Sequence, residues 1–174
     1  MALATPAAPA AAEPPAIDFH NRIAIKVGLI SAGLAALLGV VQLPLAIFWT
    51  LVRLIAAGFL AVWLYRRSTG STLSGREGAR LGWITGVFSF LLATILLTIS
   101  VADIASRQSL SSFYQEQLRS QSYAGMNVEE AARLLENPVA LGAILVVSLV
   151  FLFLFFALLP MVGGIMGAKV LEKD

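Results

Sequence analysis

One charged residue inside an apolar stretch is the position where this sequence could most clearly do chemistry. Arg53 is the only charge in the segment 45–65. A cation in a bilayer interior costs roughly 3 kcal/mol or more, so such residues often mark ligand or partner sites. Arg53 also follows Trp49 by one helical turn, about 6 Å, and a guanidinium can extend that far to an interface. Two interpretations therefore stay open: an arginine that reaches the interface or pairs with Asp103, and a site for a ligand, a lipid phosphate or a partner subunit.

Glycines spaced four residues apart form a second pattern with a physical consequence. Gly78, Gly82 and Gly86 are one series, and Gly163 and Gly167 are another. Small residues at this spacing let two membrane helices approach to backbone contact. We expect the helix-packing residues to be Gly28, Gly78, Gly82, Gly86, Gly163 and Gly167. The pattern is typical of packing within one chain and also of homo-oligomers.

The residue types that most enzymes need are missing or isolated. His20 is the only histidine and there is no cysteine, so a zinc site has no obvious ligand set. The apolar runs hold no Asp or Glu, whereas proton-coupled pumps usually need an intramembrane carboxylate. A net charge of +2 is too small for nucleic-acid binding. We therefore expect no catalytic residue, no cofactor, no metal and no enzymatic activity.

The composition of the chain is apolar, and it indicates which kind of helix must position these residues. Hydrophobic residues make up 59% of the 174 residues and charged residues 13%, against about 25% charge in soluble domains. Four apolar runs are each long enough to cross a hydrocarbon core that needs about 20 helical residues, and backbone groups in lipid force such runs to be helical. The runs are 23–41, 45–65, 81–101 and 139–159.

The predicted fold is therefore an all-α polytopic membrane protein with four transmembrane helices. The segment 26–32 resembles the segment 80–86, which favours two hairpins in the same orientation. The chain divides into an Ala/Pro-rich tail at 1–22, three spans in 23–104, an external insertion at 105–138, and the last span with the C-terminal end at 139–174. In the insertion we expect short amphipathic helices at 110–121 and 128–136. The last helix either kinks or breaks at Pro160.

Basic residues are distributed unequally between the two sides of this predicted bundle. Arginine and lysine accumulate in cytoplasmic loops, so both termini and the 66–80 loop are predicted to be cytoplasmic, in a cell inner (plasma) membrane. One side holds Arg22, Lys26, Arg66, Arg67, Arg76, Arg80, Lys169 and Lys173, and the other holds Arg107, Arg119 and Arg133.

Four stretches of the sequence are similar to segments found in a known class of membrane proteins. They are 28–31, 57–67, 78–86 and 163–168. Over residues 23–170 the chain resembles a class of small, uncharacterised, Gly-rich four-helix bacterial integral membrane proteins. That resemblance implies the fold and adds little about activity.

The sequence favours a non-catalytic role. We expect a structural or accessory subunit that contacts the lipid bilayer and binds other membrane proteins or itself. The alternative is a small transporter or channel with a polar path near Arg53, lined by residues such as Thr50, Thr85, Ser89 and Thr94. The amphipathic faces of the insertion either lie on the bilayer or cap the bundle, or form a docking surface.

Overall fold

The computed structural model describes residues 17–39, 46–107 and 138–172, and these residues form four helices without a strand. The helices are α1 (Arg22–Leu38), α2 (Ala46–Thr69), α3 (Gly75–Arg107) and α4 (Pro138–Leu171). The predicted all-α class is confirmed for the described residues. Most of the Ala/Pro-rich tail and both predicted helices of the insertion lie outside them.

Three of the helices have the length and apolar composition of membrane spans: Phe48–Thr69, Gly75–Asp103 and Gly142–Leu171. Three helices that could span a membrane are consistent with the prediction of a multi-pass membrane protein. The remaining predicted span falls on α1, which has 17 residues and is therefore about 26 Å long, slightly less than a hydrocarbon core of about 30 Å.

Side-chain caps determine where two of the helices begin. Asn21 Oδ1 accepts hydrogen bonds from the backbone N–H groups of Ile23 and Ala24, at 3.0 and 3.2 Å, which satisfies two of the free donors at the start of α1. At the start of α3 the Ser74 N–H donates to Glu77 Oε2 at 2.7 Å and the Glu77 N–H donates to Ser74 Oγ at 3.4 Å. This reciprocal pair is a capping box, and it extends α3 beyond the apolar run into the basic segment.

Helix α2 and helix α3 form the centre of the bundle. Helix α4 packs along both of them, and so does α1. Gly78 approaches Gly164 while Gly86 approaches Ala157, so α3 and α4 run antiparallel. Asn21 Nδ2 donates to the Tyr65 hydroxyl at 3.1 Å, which joins the start of α1 to the last turns of α2.

The two ends of the bundle differ in how closely they pack. We call the end where α1 and α3 begin and α2 and α4 end the basic end, because most described Lys and Arg residues lie there. The buried core cluster occupies this half; it consists of Ile17, Ala24, Val27, Ala61, Val62, Tyr65, Leu73, Leu81, Ile84 and Ala168. Toward the opposite end, every residue of α3 from 95 to 103 and every residue of α4 from 146 to 151 is exposed.

Helix α4 continues through Pro160 without a break. Proline has no N–H, so the carbonyl four residues earlier, that of Phe156, loses its helical donor. A Cβ placed on Gly86 would lie 2.6 Å from that Phe156 oxygen. Helix α3 therefore lies against the freed carbonyl, where Cα–H groups can contact it. The structure thus shows a continuous α4 in place of the broken alternative.

Candidate functional site: the Arg53 cavity

Two side chains of α2 contact the end of α1. Arg53 Nη1 donates to the carbonyl oxygen of Ala35 at 3.1 Å, and Trp49 Nε1 donates to that of Leu38 at 3.2 Å. The two residues are four apart, so they share one face of α2. The last carbonyls of a helix carry partial negative charge. The Ala35 carbonyl oxygen already accepts the Gly39 N–H, so Arg53 is a second, positively charged donor that caps the C-terminus of α1 from the neighbouring helix.

Gly39 makes room for this contact. A Cβ at Gly39 would lie 2.8 Å from Arg53 Cζ and closer still to Nη1, so a side chain here would displace the guanidinium. The Gly39 N–H donates to the carbonyl oxygens of Ala35 and Ala36, so Gly39 belongs to the last turn at the C-terminus of α1. The glycine thus couples the end of α1 to the position of Arg53.

The same pattern recurs at the basic end. Arg66 of α2 donates through Nη1 to the carbonyl oxygen of Leu171, in the last turn of α4. Arg67 instead lies over the Trp63 ring, 5.3 Å from its centroid. Helix α2 thus carries an arginine cap for the C-terminus of each helix that ends beside it.

A cavity of about 230 Å³ lies beside the Arg53 side chain. Small residues of α1 and α3 leave this space open on the side facing α2. Ser89, on its wall, donates its hydroxyl to the Thr85 carbonyl oxygen at 2.9 Å and is therefore satisfied within its own helix. No carboxylate lines the cavity within the described residues; its lining consists of Ala32, Ala35, Ala36, Gly39, Arg53, Leu54, Ser89, Ala93, Leu96 and Phe156.

Two buried polar atoms, one on α1 and one on α2, have no hydrogen-bond partner within the described part of the chain. They are Arg53 Nε and Ser31 Oγ. An unsatisfied buried donor costs about 1–3 kcal/mol. The Arg53 side chain therefore has an N–H donor that its contact with α1 does not use.

Packing is tight on the side of the cavity that faces the basic end. Leu54, Leu81, Ile84 and Thr85 are at most 2% exposed. The Thr85 hydroxyl donates to the carbonyl oxygen of Leu81 and therefore offers no free donor. Within the described residues the cavity is accordingly bounded by a close-packed core on this side.

Asp103 lies farther along α3 than the cavity. Leu96 is the last α3 residue in the cavity wall, and seven more residues correspond to about 10 Å of helix. Asp103 is exposed, and its carbonyl oxygen accepts a hydrogen bond from Ser106 Oγ at 2.7 Å. The arrangement joins Arg53 to α1, and an Arg53–Asp103 ion pair stays a prediction.

Glycines on α3 lie against the backbone of α4. A Cβ on Gly82 would lie 2.7 Å from the Met161 Cα, and one on Gly78 would lie 2.8 Å from the Ala168 Cβ. The Gly86 position is equally close to α4, at 2.9 Å from the Ala157 Cα. The series therefore forms one seam between α3 and α4.

Other glycines bring α2 and α1 into the same bundle. Gly163 faces Ile55 of α2, where an added Cβ would lie 2.8 Å from the Ile55 carbonyl carbon. Gly167 faces Phe59 and Val62, which would lie 3.3 and 3.2 Å from its Cβ. Gly28 of α1 faces Ile84 of α3 at 3.0 Å. Each glycine that the sequence predicted as a packing residue thus lies at an interhelical contact.

Four residues of these contacts were not predicted from the sequence. Gly58 and Gly164 complete the seams, with Gly58 against Pro160 and Gly164 against Gly78. Gly39 and Trp49 complete the cap on α1. Gly39 lies inside the apolar run 23–41, followed by two valines, so it did not stand out as the stop signal that a glycine just after a helical run provides.

His20 lies apart from all of these contacts. Its side chain is 95% exposed, and its Nδ1 is 3.6 Å from Asp18 Oδ2. The described residues contain no group of three potential metal ligands.

Comparison of the chain with protein-family models, with curated proteins and with solved structures finds no match.

Proposed function

We propose that the chain is a non-catalytic integral membrane protein, a structural or accessory subunit that binds another membrane protein or a second copy of itself. The observation that supports it most strongly is the exposure of residues 95–103 of α3 and 146–151 of α4, which we call the α3–α4 arm. A helix that packs in a bundle buries at least one face. Every residue of these segments is exposed, and apart from Thr98, Ser100, Asp103 and Ser148 they are apolar.

The glycine contacts support the arm as the binding surface. Gly78, Gly82 and Gly86 are occupied by α4 of the same chain. They are therefore not free to pack against a second chain, and association through small residues would require the bundle to open. The arm needs no such opening.

In this proposal α1 is the fourth span, and the helices form two hairpins with both termini cytoplasmic. The deficit of α1 relative to the hydrocarbon core is a few Å, which local bilayer thinning accommodates at modest cost. The basic end would be cytoplasmic because Arg66, Arg67, Arg76, Arg80 and Lys169 all lie at it. The membrane would be the inner (plasma) membrane of the cell.

The mass of the protein released from membranes tests the association. We expect extraction in a lipid-retaining polymer to give particles whose protein mass exceeds the 18.5 kDa of one chain. Leu97→Trp, on the arm, should lower the fraction in complexes, because a bulky ring disturbs a packed interface. Leu29→Trp is the matched control, since Leu29 is 48% and Leu97 56% exposed but Leu29 lies on α1. Single chains alone in the unsubstituted protein would contradict the proposal.

A transporter or channel is the second candidate, and the cavity beside Arg53 favours it. The close-packed residues toward the basic end oppose it, because transport requires a path that opens there. Flux of small ions from liposomes containing the purified protein distinguishes the two candidates. An Arg53-dependent flux would favour transport, and its absence together with complex formation would favour the accessory role.

A further inference from the structure

A second and larger space adjoins Arg53. A groove of about 520 Å³ lies between α1 and α2, and its size is within the range of small-molecule sites. We call it the α1–α2 groove. Arg53 and Ala35 line both this groove and the cavity. Further groove residues are Ser31, Leu34, Leu38, Val52, Ala56 and Phe59.

The chemistry of the groove is that of an acyl-chain site with one charged end. Apart from Arg53 and Ser31 its side chains are apolar, and no Asp or Glu lines it within the described residues. Leu34 and Val52 are 43% and 40% exposed, so the groove is open on the outer surface of the bundle. A ligand can therefore enter it sideways from the bilayer.

We propose that the α1–α2 groove and Arg53 form a binding site for an anionic lipid, with an acyl chain in the groove and the phosphate oxygens of the headgroup on the Arg53 guanidinium. Among the described residues no Asp or Glu lines the spaces beside Arg53. Such an arginine selects a net negative charge, which a zwitterionic lipid lacks. A free anion would leave the apolar groove unused.

The hydrogen bonds of Arg53 fit this ligand. A guanidinium has five N–H donors in a planar fork that matches phosphate geometry. Nη1 is held by the Ala35 carbonyl oxygen, and Nε is buried without a partner within the described residues. The bond to α1 therefore fixes the orientation of the side chain, and the remaining Nη N–H groups are the donors for a ligand.

The depth of Arg53 is also compatible with a headgroup. Arg53 lies seven residues from the first residue of α2, Ala46, or about 10 Å along the helix. Helix α1 ends at Leu38, close to the level of Arg53. The groove itself contains no residue of the α3–α4 arm, so the acyl-chain part of the site does not depend on the proposed association.

Thermal unfolding of the full chain in detergent tests the proposal. The probes are phosphatidylglycerol, phosphatidylcholine with the same acyl chains, and inorganic phosphate. A ligand that binds only the folded state at 100 times its Kd should raise the Tm by about 5–10 °C. We expect phosphatidylglycerol to produce such a rise and the other two probes to produce little.

Substitutions at the guanidinium and in the groove should each remove the rise in Tm that phosphatidylglycerol produces. Arg53→Gln removes the charge, and Ala56→Phe fills the groove while it leaves Arg53 in place. Arg22→Gln and Ala102→Phe are the matched controls, because both residues are exposed and neither lines the groove. The controls should respond to phosphatidylglycerol like the unsubstituted chain.

Each other outcome would overturn the proposal. A rise of equal size with phosphatidylcholine would show that the charge is not recognised. A rise with inorganic phosphate that Arg53→Gln abolishes would identify a free-anion site. If Arg53→Gln does not fold, the Ala56→Phe variant decides, because a full rise in that variant would show that no chain occupies the groove.

Discussion

Adding one methyl group at Gly82 should destabilise the bundle, whereas the same change at Gly33 should not. Gly82 of α3 is buried, and a Cβ there would lie 2.7 Å from both the Pro160 carbonyl carbon and the Met161 Cα. These are backbone atoms of α4, so no side-chain rotation can relieve the overlap. Gly33 of α1 has no atom within 4 Å of the corresponding position.

The two changes share one contribution and differ in another. Alanine is favoured over glycine in a helix by about 0.8–1.0 kcal/mol, which applies to both positions. At Gly82 the overlap forces α3 and α4 apart, and overpacking of this kind costs about 1–3 kcal/mol or more. We therefore expect Gly33→Ala to raise the free energy of unfolding by up to about 1 kcal/mol and Gly82→Ala to lower it by up to about 2 kcal/mol.

Reversible unfolding in mixed detergent and dodecyl sulfate micelles, followed by tryptophan fluorescence, measures this difference. Gly75→Ala is a second control, since its nearest atom, Ile165 Cγ2, is 4.0 Å away. Shifts of the same sign and size at Gly33 and Gly82 would refute the packing interpretation. The larger Gly82→Leu and Gly75→Leu pair should show the same contrast with a greater amplitude.

Three further predictions concern orientation, the Arg53 cap and the start of α1. Because the chain has no cysteine, single cysteines at positions 67, 129 and 173 can be labelled in intact cells. Only Glu129→Cys should react with a reagent that does not cross the membrane. Reaction at Arg67→Cys instead would show that the orientation is the reverse of the predicted one. Arg53→Leu should change the free energy of unfolding by about 1 kcal/mol or less, since it removes the hydrogen bond to Ala35 together with a buried, unsatisfied Nε. Arg53→Glu should lower the free energy of unfolding more, because a carboxylate repels the last carbonyls of α1. Equal effects of the two substitutions would argue against the cap. Asn21→Ala should lower the free energy of unfolding by about 1–2 kcal/mol in the same assay, because it removes the N-cap of α1 and the bond to Tyr65. Tyr65→Phe removes only that bond and should lower it less. A larger loss from Tyr65→Phe than from Asn21→Ala would show that the cap contributes little.

The long apolar runs made the helices predictable, but their ends depended on polar residues. The run 81–101 marks the part of α3 that fits in hydrocarbon, whereas the helix extends over Gly75–Arg107. The added turns at the start follow from the Ser74–Glu77 capping box, whose spacing is visible in the sequence. Helix α1 has Gly39 as its C-cap, and the last two residues of its apolar run lie outside the described residues.

The direction of Arg53 was not predictable from α2 alone. It depends on where α1 ends relative to the middle of α2, which is a property of tertiary packing. The sequence offered an interface or a carboxylate as partners, whereas the structure supplies a backbone carbonyl of Ala35. A lone glycine such as Gly58 gave no spacing signal either, although it faces Pro160 across the α2–α4 contact.

The most direct test of the proposed association is photo-crosslinking in native membranes from matched exposed positions. A photoreactive amino acid at Leu97 or Val147 lies on the α3–α4 arm, and one at Leu29 lies on α1; the three residues are 56%, 55% and 48% exposed. We expect protein adducts of defined mass from Leu97 and Val147, either twice the chain mass or the chain plus one partner, and only lipid adducts from Leu29. Lipid adducts alone at all three positions would contradict the proposed association.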